Sequence, residues 1–320
     1  MDVASRKKID LQSDLHIDPA ETCTQIVDFI RGQVKRLGKR GVILGLSGGM
    51  DSSTCAYLCT IALGRERIQA LRLPERDTDP INMGHASLVA ENLGLEVKDI
   101  DLSPVLSQIG LYDEVPEGTA ADRSKIESGV RWMSRLTRRP SAFAFGLDYA
   151  YGERRTFWEN LVRRFFWRSA GQIQAFVFTK VRLRMLMLYY HASLGDCLVV
   201  GTTDKSEWSI GFYDRYGDGA SDITLLQHLY KTQIKELARY LGVPEEIIQK
   251  PSSGDLAAGI PNEVFIGLDY EQLDMILYGL EHDMPDESII AQTRLNKKAV
   301  QTVKQASQRA RFRESLPLHL

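Results

Sequence analysis

Cysteine is scarce in this 320-residue chain, which holds four: Cys23, Cys55, Cys59 and Cys197. They do not suggest a disulfide frame. Cys55 and Cys59 stand one helical turn apart among apolar neighbours, so the expectation is buried thiols in a reducing cytoplasm. A zinc site would need four ligands at recognisable spacing, and none is evident. Histidine is scarce as well: six residues, scattered, with no H-x-x-x-H among them. Catalysis by a His-centred triad is therefore not what the sequence advertises. Long hydrophobic runs are missing. The densest apolar stretch, around Met185 to Tyr190, falls far short of the roughly 18 residues of a membrane span. No apolar segment follows the polar Met1 to Lys8, so no signal peptide is expected. Nor does one sign of charge dominate: 40 Lys+Arg stand against 42 Asp+Glu, a net charge of −2. With 43% hydrophobic residues the chain can bury a core, which excludes a disordered polyelectrolyte. The length fits one large domain, and a single domain over 1–320 is the expectation.

What is present begins with a helix–strand rhythm. Ala20, Cys23, Ile26, Val27, Ile30, Val34 and Leu37 recur at three- and four-residue steps, which predicts a helix over 20–37. An apolar run, Gly41 to Leu46, reads as a buried strand, and 52–63 as a helix. Ile68 to Leu73 is a second strand, broken by Pro74. Asn82 to Leu93 is a helix closed by Gly94, and Glu96 to Leu102 alternates like a third strand. Strands alternating with helices predict an α/β fold, a doubly wound parallel sheet with helices on both faces. Residues 105–170 break the rhythm and read as an insertion rich in arginine and aromatics. A helix near 172–194, a strand over 196–201, a loop over 211–222 and a helix over 229–241 follow. The tail from 270 to 320 reads as two or three helices.

The informative loop is Ser47-Gly48-Gly49-Met50-Asp51-Ser52, between a predicted strand and a predicted helix. Two glycines let backbone N–H groups turn inward, and the helix points its N-terminus at the same spot, which makes an anion cradle. Asp51 is out of place in a pure anion site. It makes sense as a hard oxygen ligand for Mg²⁺ riding on phosphates. The chain has no G-x-x-x-x-G-K-[ST], and no G-x-G-x-x-G at this loop, so neither a P-loop nor a dinucleotide fingerprint is supported. The plainer alternative is a tight turn with Asp51 or Ser52 as an N-cap.

Ser-Gly-Gly-x-Asp-Ser after a buried strand resembles the pyrophosphate loop of the N-type ATP pyrophosphatases, which cleave ATP between the α- and β-phosphates and adenylate a substrate oxygen. Later segments resemble one member, NAD synthetase, in order and spacing: Lys180-Val-Arg182-Leu-Arg184-Met185, Thr202-Thr-Asp-Lys205-Ser-Glu207, Tyr216-Gly-Asp218-Gly-Ala-Ser-Asp222, Tyr230-Lys231-Thr-Gln and Lys250-Pro-Ser-Ser253. Gly267 to Asp274 resembles its closing helical segment. The resemblance implies ATP-dependent adenylation of the deamido-NAD carboxylate, then amidation by ammonia, giving NAD, AMP and pyrophosphate. A carboxylate resists attack by ammonia until a good leaving group is installed, and AMP is that group. It further implies that Ser47, Gly48, Gly49, Asp51 and Ser52 hold the pyrophosphate, with Arg72 and Thr202 at the adenosine end. Asp51 and Glu207 would ligate Mg²⁺, Lys231 would reach the phosphates and Ser253 would bind phosphate oxygen. Asp51, Lys231 and Asp218 are the implied catalytic set, and Arg182, Arg215, Asp218 and Asp222 would face deamido-NAD. Each has an ordinary reading beside it. Arg182 and Arg184 could be a solvated helix face, Lys231 a surface lysine, Glu207 a surface carboxylate, and Asp218 and Asp222 turn formers. A homodimer is implied, in the cytoplasm, with ammonia arriving free or from a separate glutaminase, since the length leaves no room for a fused one.

Departures from the family cluster on the acyl side. Phe178 stands where an Asn is usual, Arg215 where a Lys is usual, and Thr224-Leu225 and Phe312-Arg313 replace other family runs. They open a second reading, a diverged amide ligase acting on another carboxylic acid. The net charge also hides a contrast. Arg123 to Arg184 carries 14 Lys+Arg and 4 Asp+Glu, a balance of +10 against −12 for the remainder. Arg138-Arg139, Arg154-Arg155 and Arg163-Arg164 lie among Trp132, Phe143, Phe145, Phe157, Trp158, Phe165, Phe166 and Trp167. A lid or interface is the first reading of this segment. A folded surface elaboration with no direct role comes next, and nucleic-acid or membrane-surface binding is a lesser reading, with it a tRNA-modifying enzyme. A non-catalytic binding protein fits less well, because Asp51, Glu207 and Lys231 are all present.

Overall fold

Parallel strands with both faces apolar must be covered on both sides, and the chain achieves this with helices drawn from its whole length. The computed structural model describes residues 9–113, 157–253 and 260–314. Strand β1 (Gly41–Gly45) is central. It pairs in parallel with β2 (Ile68–Arg72) on one side and β4 (Cys197–Gly201) on the other. Strand β3 (Val97–Asp99) adds beyond β2, and β5 (Ile223–Thr224) beyond β4, for the order β3-β2-β1-β4-β5. This is the expected doubly wound sheet, with its switch point between β1 and β4.

Alternation along β1 and β4 sorts the core. Val42, Leu44, Leu198 and Val200 face one layer, built from α1 (Pro19–Arg36), α2 (Met50–Leu63), α3 (Pro80–Leu93) and α7 (Lys231–Leu241). Ile43, Leu71 and Val199 face Met185, Leu188 and Ala192 of α5 (Phe157–Gly195). A second core lies under the C-terminal helices α10 (Tyr270–Glu281), α11 (Asp286–Thr293) and α12 (Lys297–Glu314). It takes in Ile210 of α6 (Lys205–Ile210) and Leu11 and Leu15. Short helices α4 (Ser103–Gln108), α8 (Glu245–Gln249) and α9 (Asn262–Ile266) complete the description. Helix ends follow local rules: Asp18 accepts from the N–H groups of Ala20 and Glu21 at the start of α1, and Gly94 closes α3 with φ 61°.

Two boundaries differ from the sequence expectation. The third strand stops at Asp99, because its neighbour β2 runs out at Arg72 and the chain then meets Pro74, which has no N–H to give. Beyond it the Ile100 and Leu102 N–H groups still donate to the carbonyls of Arg72 and Pro74. The helix expected near 172–194 starts earlier, at Phe157, inside the insertion expected over 105–170, whose first residues lie in α4. Arg138-Arg139, Arg154-Arg155, Trp132, Phe143 and Phe145 lie outside the described residues, as do the side chains of Phe157, Trp158, Arg163, Arg164, Phe165, Phe166, Trp167, Phe312 and Arg313. All four cysteines are buried and free, and burial pushes the Cys59 thiol up to about 12. Among the described residues no helix is long and apolar enough to cross a membrane.

The turn after β1 depends on Gly48. Its φ is +76°, and a Cβ there would lie 2.0 Å from the Asn82 carbonyl oxygen of α3. Backbone cannot retreat as a flexible side chain can. Gly48→Ala should therefore lower stability by about 1–3 kcal/mol or more, read as a lower urea midpoint. Gly84→Ala, in α3 with nothing within 4 Å of the added methyl, should hold the midpoint or raise it.

Candidate active site

Asp51 opens the site from the first turn of α2, directly after the glycine turn. Ser47, Ser52 and Ser53 knit that turn. The Ser47 and Ser52 hydroxyls lie 2.9 Å apart, and the Ser52 and Ser53 hydroxyls donate to the Gly49 carbonyl at 3.1 and 2.8 Å. Gly49 is the N-cap of α2 without a side-chain cap, so the first N–H groups of the helix are not spent on a capping side chain. From the adjacent strand, β4, the chain passes Thr202 and Thr203 to Asp204. Asp204 caps α6 by accepting from the Glu207 N–H at 2.7 Å. Lys231 starts α7.

These four side chains meet. The Lys231 ammonium lies 2.8 Å from Asp51 Oδ2, 2.5 Å from Asp204 Oδ2 and 3.3 Å from Glu207 Oε1. Lys231 is 4% exposed and Asp204 wholly buried. The contact to Asp204 is an ion pair without hydrogen-bond geometry, and Asp51 Oδ1 and Asp204 Oδ2 are buried oxygens with no hydrogen-bond donor. Burial opposes the ammonium form of Lys231, yet Asp204, Asp51 and Glu207 outweigh it and hold the lysine well above its usual range. Burial, then Asp204 beside it, pushes the Glu207 carboxyl up to about 8. Asp204 is raised as well, chiefly by burial. One ammonium thus faces three carboxyl groups, one wholly buried and two half-buried, and their crowding disfavours charge on all three at once.

That donor set fits a hard divalent cation. Asp51, Asp204 and Glu207 each offer an oxygen, all within 4.8 Å of one another, and Asp51 Oδ1 is buried without a hydrogen-bond donor. Of the expected metal pair, Asp51 and Glu207 are both present, and Asp204 joins them.

The other expected residues divide. Ser47, Gly48, Gly49 and Ser52 form the turn beside Asp51. Ser253 is half-buried, in a segment held toward that turn: Lys250 donates to the Asn82 side chain, and the Asn262 N–H donates to the Ser252 carbonyl at 2.8 Å. Thr202 is half-buried just past β4. Arg72 is committed to a bidentate pair with Asp99, both bonds 2.6 Å, and also reaches Ser87. Arg182 makes a bidentate pair with the buried Asp214 at 2.7 and 2.9 Å and lies over the Phe178 and Tyr216 rings. Arg215 lies beside the Tyr216 ring, 5.9 Å from its centre. Asp218 accepts from the Asp214 N–H at 2.7 Å, and its carbonyl accepts from Thr203. The Asp222 carboxylate accepts from the Val199 N–H at 2.8 Å and from Tyr189, so the structure places it on the sheet, away from the acidic cluster.

Several residues here carry no role in the sequence reading. Asp204 has a local signal, an Asp three residues ahead of a Glu at a helix start. Asp214, Asn262, Tyr270 and Asp274 have none, because their partners are distant in the chain. Asp274, wholly buried, accepts from the Ser206 hydroxyl at 2.5 Å and the Thr232 N–H at 2.9 Å, while Ser206 Oγ accepts from the Lys231 N–H at 2.9 Å. It thereby ties α6 to the start of α7. Lys180, 2% exposed, joins Glu75 at 3.0 Å and Asp77 at 2.6 Å, and so fastens the loop after β2 to α5. Arg184 adds a bond to the Leu73 carbonyl at 3.2 Å.

Comparison with known proteins follows this geometry. The NAD synthase family model matches residues 22–129 and 171–317 and passes over 130–170, a narrower interruption than the sequence suggests. The NH(3)-dependent NAD(+) synthetase of Methanocaldococcus jannaschii is 34% identical over 297 residues, 93% of this chain and 95% of that protein. The NH(3)-dependent NAD(+) synthetase of Mesorhizobium japonicum is 36% identical over 297 residues, 90% and 91% of the two chains. Among solved structures, NH3-dependent NAD synthetase from Campylobacter jejuni superposes with a TM-score of 0.64 at 27% identity, covering 95% of this chain and 99% of that one. NMN synthetase from Francisella tularensis, with a TM-score of 0.67 at 22% identity and the same coverage, shares the fold.

The buried Asp274 sets a pH dependence. Burial pushes its carboxyl up to about 7, against the hydrogen bonds from Ser206 and Thr232 that favour the anion. A folded pKa above the unfolded value means stability present at low pH and lost as pH rises through the folded pKa. Between about pH 4 and about pH 7 the protein should lose stability at up to about 1 kcal/mol per pH unit on this account. Asp274→Asn, which keeps the shape, should flatten that slope in urea melts across the same window.

Proposed function

This chain belongs to the NAD synthase family, and on that premise we propose that it is an ammonia-dependent NAD synthetase, a carbon–nitrogen ligase. ATP activates the carboxylate of deamido-NAD as an acyl adenylate, and ammonia displaces AMP to give NAD, with pyrophosphate as the other product. The observation that carries the reading is the Asp51–Asp204–Glu207 set around the buried Lys231, at the carboxyl ends of β1 and β4 beside the glycine turn. Relatives named NH(3)-dependent NAD(+) synthetase match over nearly their whole length, which favours ammonia, free or delivered by a separate glutaminase.

The residues divide the work by chemistry. The N–H groups at the start of α2, with Ser47 and Ser52, receive phosphate oxygens, and Ser253 closes on them from the 250–253 segment. Mg²⁺ held by Asp51, Asp204 and Glu207 would neutralise charge building on the departing pyrophosphate. Lys231, held as an ammonium by Asp204, Asp51 and Glu207, supplies a second positive charge to the same phosphates. Arg72 and Thr202 bound the adenosine end. On the acid side, Arg182 is aimed by Asp214, whose N–H is held by Asp218, and Arg182 and Arg215 flank the Tyr216 ring, so these residues make up the acyl-substrate surface. Asp222 supports that surface from the sheet.

The assembly is a homodimer. Helix α5 turns Met185, Leu188 and Ala192 to the sheet and leaves Leu186, Tyr190 and Leu194 outward, 62%, 55% and 67% exposed. Large apolar side chains at four-residue steps on one helix face suit helix-to-helix association. Four buried thiols without disulfides suit a reducing compartment, and a cytoplasmic setting belongs to the proposal.

Purified protein given ATP, Mg²⁺, ammonium and deamido-NAD should release NAD, AMP and pyrophosphate in equal amounts. Turnover with another acid and none with deamido-NAD would overturn the substrate. Lys231→Met and Asp51→Asn should each lower kcat/KM by about 10²–10³-fold or more. On the assembly, light scattering after size exclusion should give twice the 36.1 kDa chain mass. The double substitution Leu186→Glu, Leu194→Glu should shift it to the monomer with the sheet fold retained by circular dichroism.

A further inference from the structure

Glu207 sits on a helix of only six residues, too short to hold a side chain by its own packing. Its position is set from outside. Three donors converge on one of its oxygens, Oε1: the Tyr270 hydroxyl at 3.1 Å, Asn262 Nδ2 at 3.3 Å and Lys231 Nζ at 3.3 Å. Asn262 Nδ2 also lies 3.1 Å from the Tyr270 oxygen, so two of the donors brace each other. Both are buried, Asn262 at 4% and Tyr270 at 7% exposure.

Tyr270 is itself anchored. It is the first residue of α10, whose N-cap Asp269 accepts from the Gln272 N–H at 2.7 Å. Its ring is part of the second core with Leu273, Ile276 and Leu277. One turn along the same helix, Asp274 grips Ser206 and the Thr232 N–H. Helix α10 therefore reaches α6 at two points and the start of α7 at one. A hydroxyl on a rigid ring, aimed at one carboxylate oxygen, leaves the other oxygen to serve a cation. The same division of labour orients ligands throughout metal sites.

We propose that Tyr270, with Asn262 behind it, is a positioning residue that aims the Glu207 carboxylate for the divalent cation. The inference rests on Glu207 being a metal ligand, as in the function proposed above. It concerns residues on α9 and α10, outside the pyrophosphate loop and outside the acyl surface.

The test is Mn²⁺ titrated into the purified full-length chain, with free Mn²⁺ read by electron paramagnetic resonance. Wild type should bind, and Glu207→Gln should abolish or nearly abolish binding. Tyr270→Phe keeps the ring in the core and removes the hydroxyl alone, and it should weaken Mn²⁺ binding about tenfold or more. Asn262→Ala should shift affinity the same way and serves should Tyr270→Phe fail to fold. In turnover, the Mg²⁺ concentration for half-maximal rate should rise by more than kcat falls, a split that a merely loosened fold does not give. Mn²⁺ affinity within about twofold of wild type in both variants, with Glu207→Gln still defective, overturns the positioning role and leaves the metal site standing. Wild-type binding that does not depend on Glu207 overturns the metal reading and this one together.

Discussion

A buried ammonium between three carboxylates is the contact on which the site depends. Among the described residues, Lys231 is the cation that meets Asp51, Asp204 and Glu207, and burial makes every uncompensated charge there expensive. Removing one partner of such a buried set typically costs about 3–5 kcal/mol, because the others are left bare. The cluster already relieves part of the excess, because burial and Asp204 push the Glu207 carboxyl up to about 8 and so favour its neutral form. On the function proposed above, a divalent ion and a triphosphate would bring charges of opposite sign to this one place and balance each other there.

The sheet explains why these residues can meet. Asp51 follows β1, and Asp204 and Glu207 follow β4, its immediate neighbour on the other side of the switch point. Two loops leaving adjacent parallel strands in opposite directions open a crevice between them. Lys231 enters from the start of α7, packed on the same layer as α2. The C-terminal helices then close the cluster from the side through Tyr270, Asn262 and Asp274, so the second core acts as a buttress for the first.

Much of this was legible in the chain, and the boundary of legibility has a physical pattern. Strands bounded by glycine and apolar on both faces, such as 41–45 and 197–201, announce themselves. So does the Ser47–Ser52 turn, because its glycines and hydroxyls carry the chemistry locally. The third strand was overextended, since alternation persists to Leu102 after the neighbouring strand has ended at Arg72. Strand β5 is two residues long and has no period to read. Helix α5 was read from about 172, yet it begins at Phe157, where arginines and aromatics obscure the apolar step. That the Asp222 carboxylate accepts from the Val199 N–H is likewise not legible, because the two residues are 23 positions apart. Asp214, Asn262, Tyr270 and Asp274 acquire meaning only through contacts between residues far apart in sequence, which no local pattern encodes.

The pairing of β1 with β4 has a consequence for how the fold tolerates change. Gly41 lies against Cys197, so the centre of the sheet closes a loop that contains β2, β3 and everything between β3 and β4. The entropy of closing a loop grows only with the logarithm of its length, and each doubling costs about 0.6 kcal/mol. Once the chain has met the cost of bringing those two strands together, extra residues between β3 and β4 add almost nothing to it. Added length between β3 and β4 is thus thermodynamically cheap, while the same length placed in the turn between β1 and α2 would pull apart the hydroxyl and glycine contacts that set Asp51 in place.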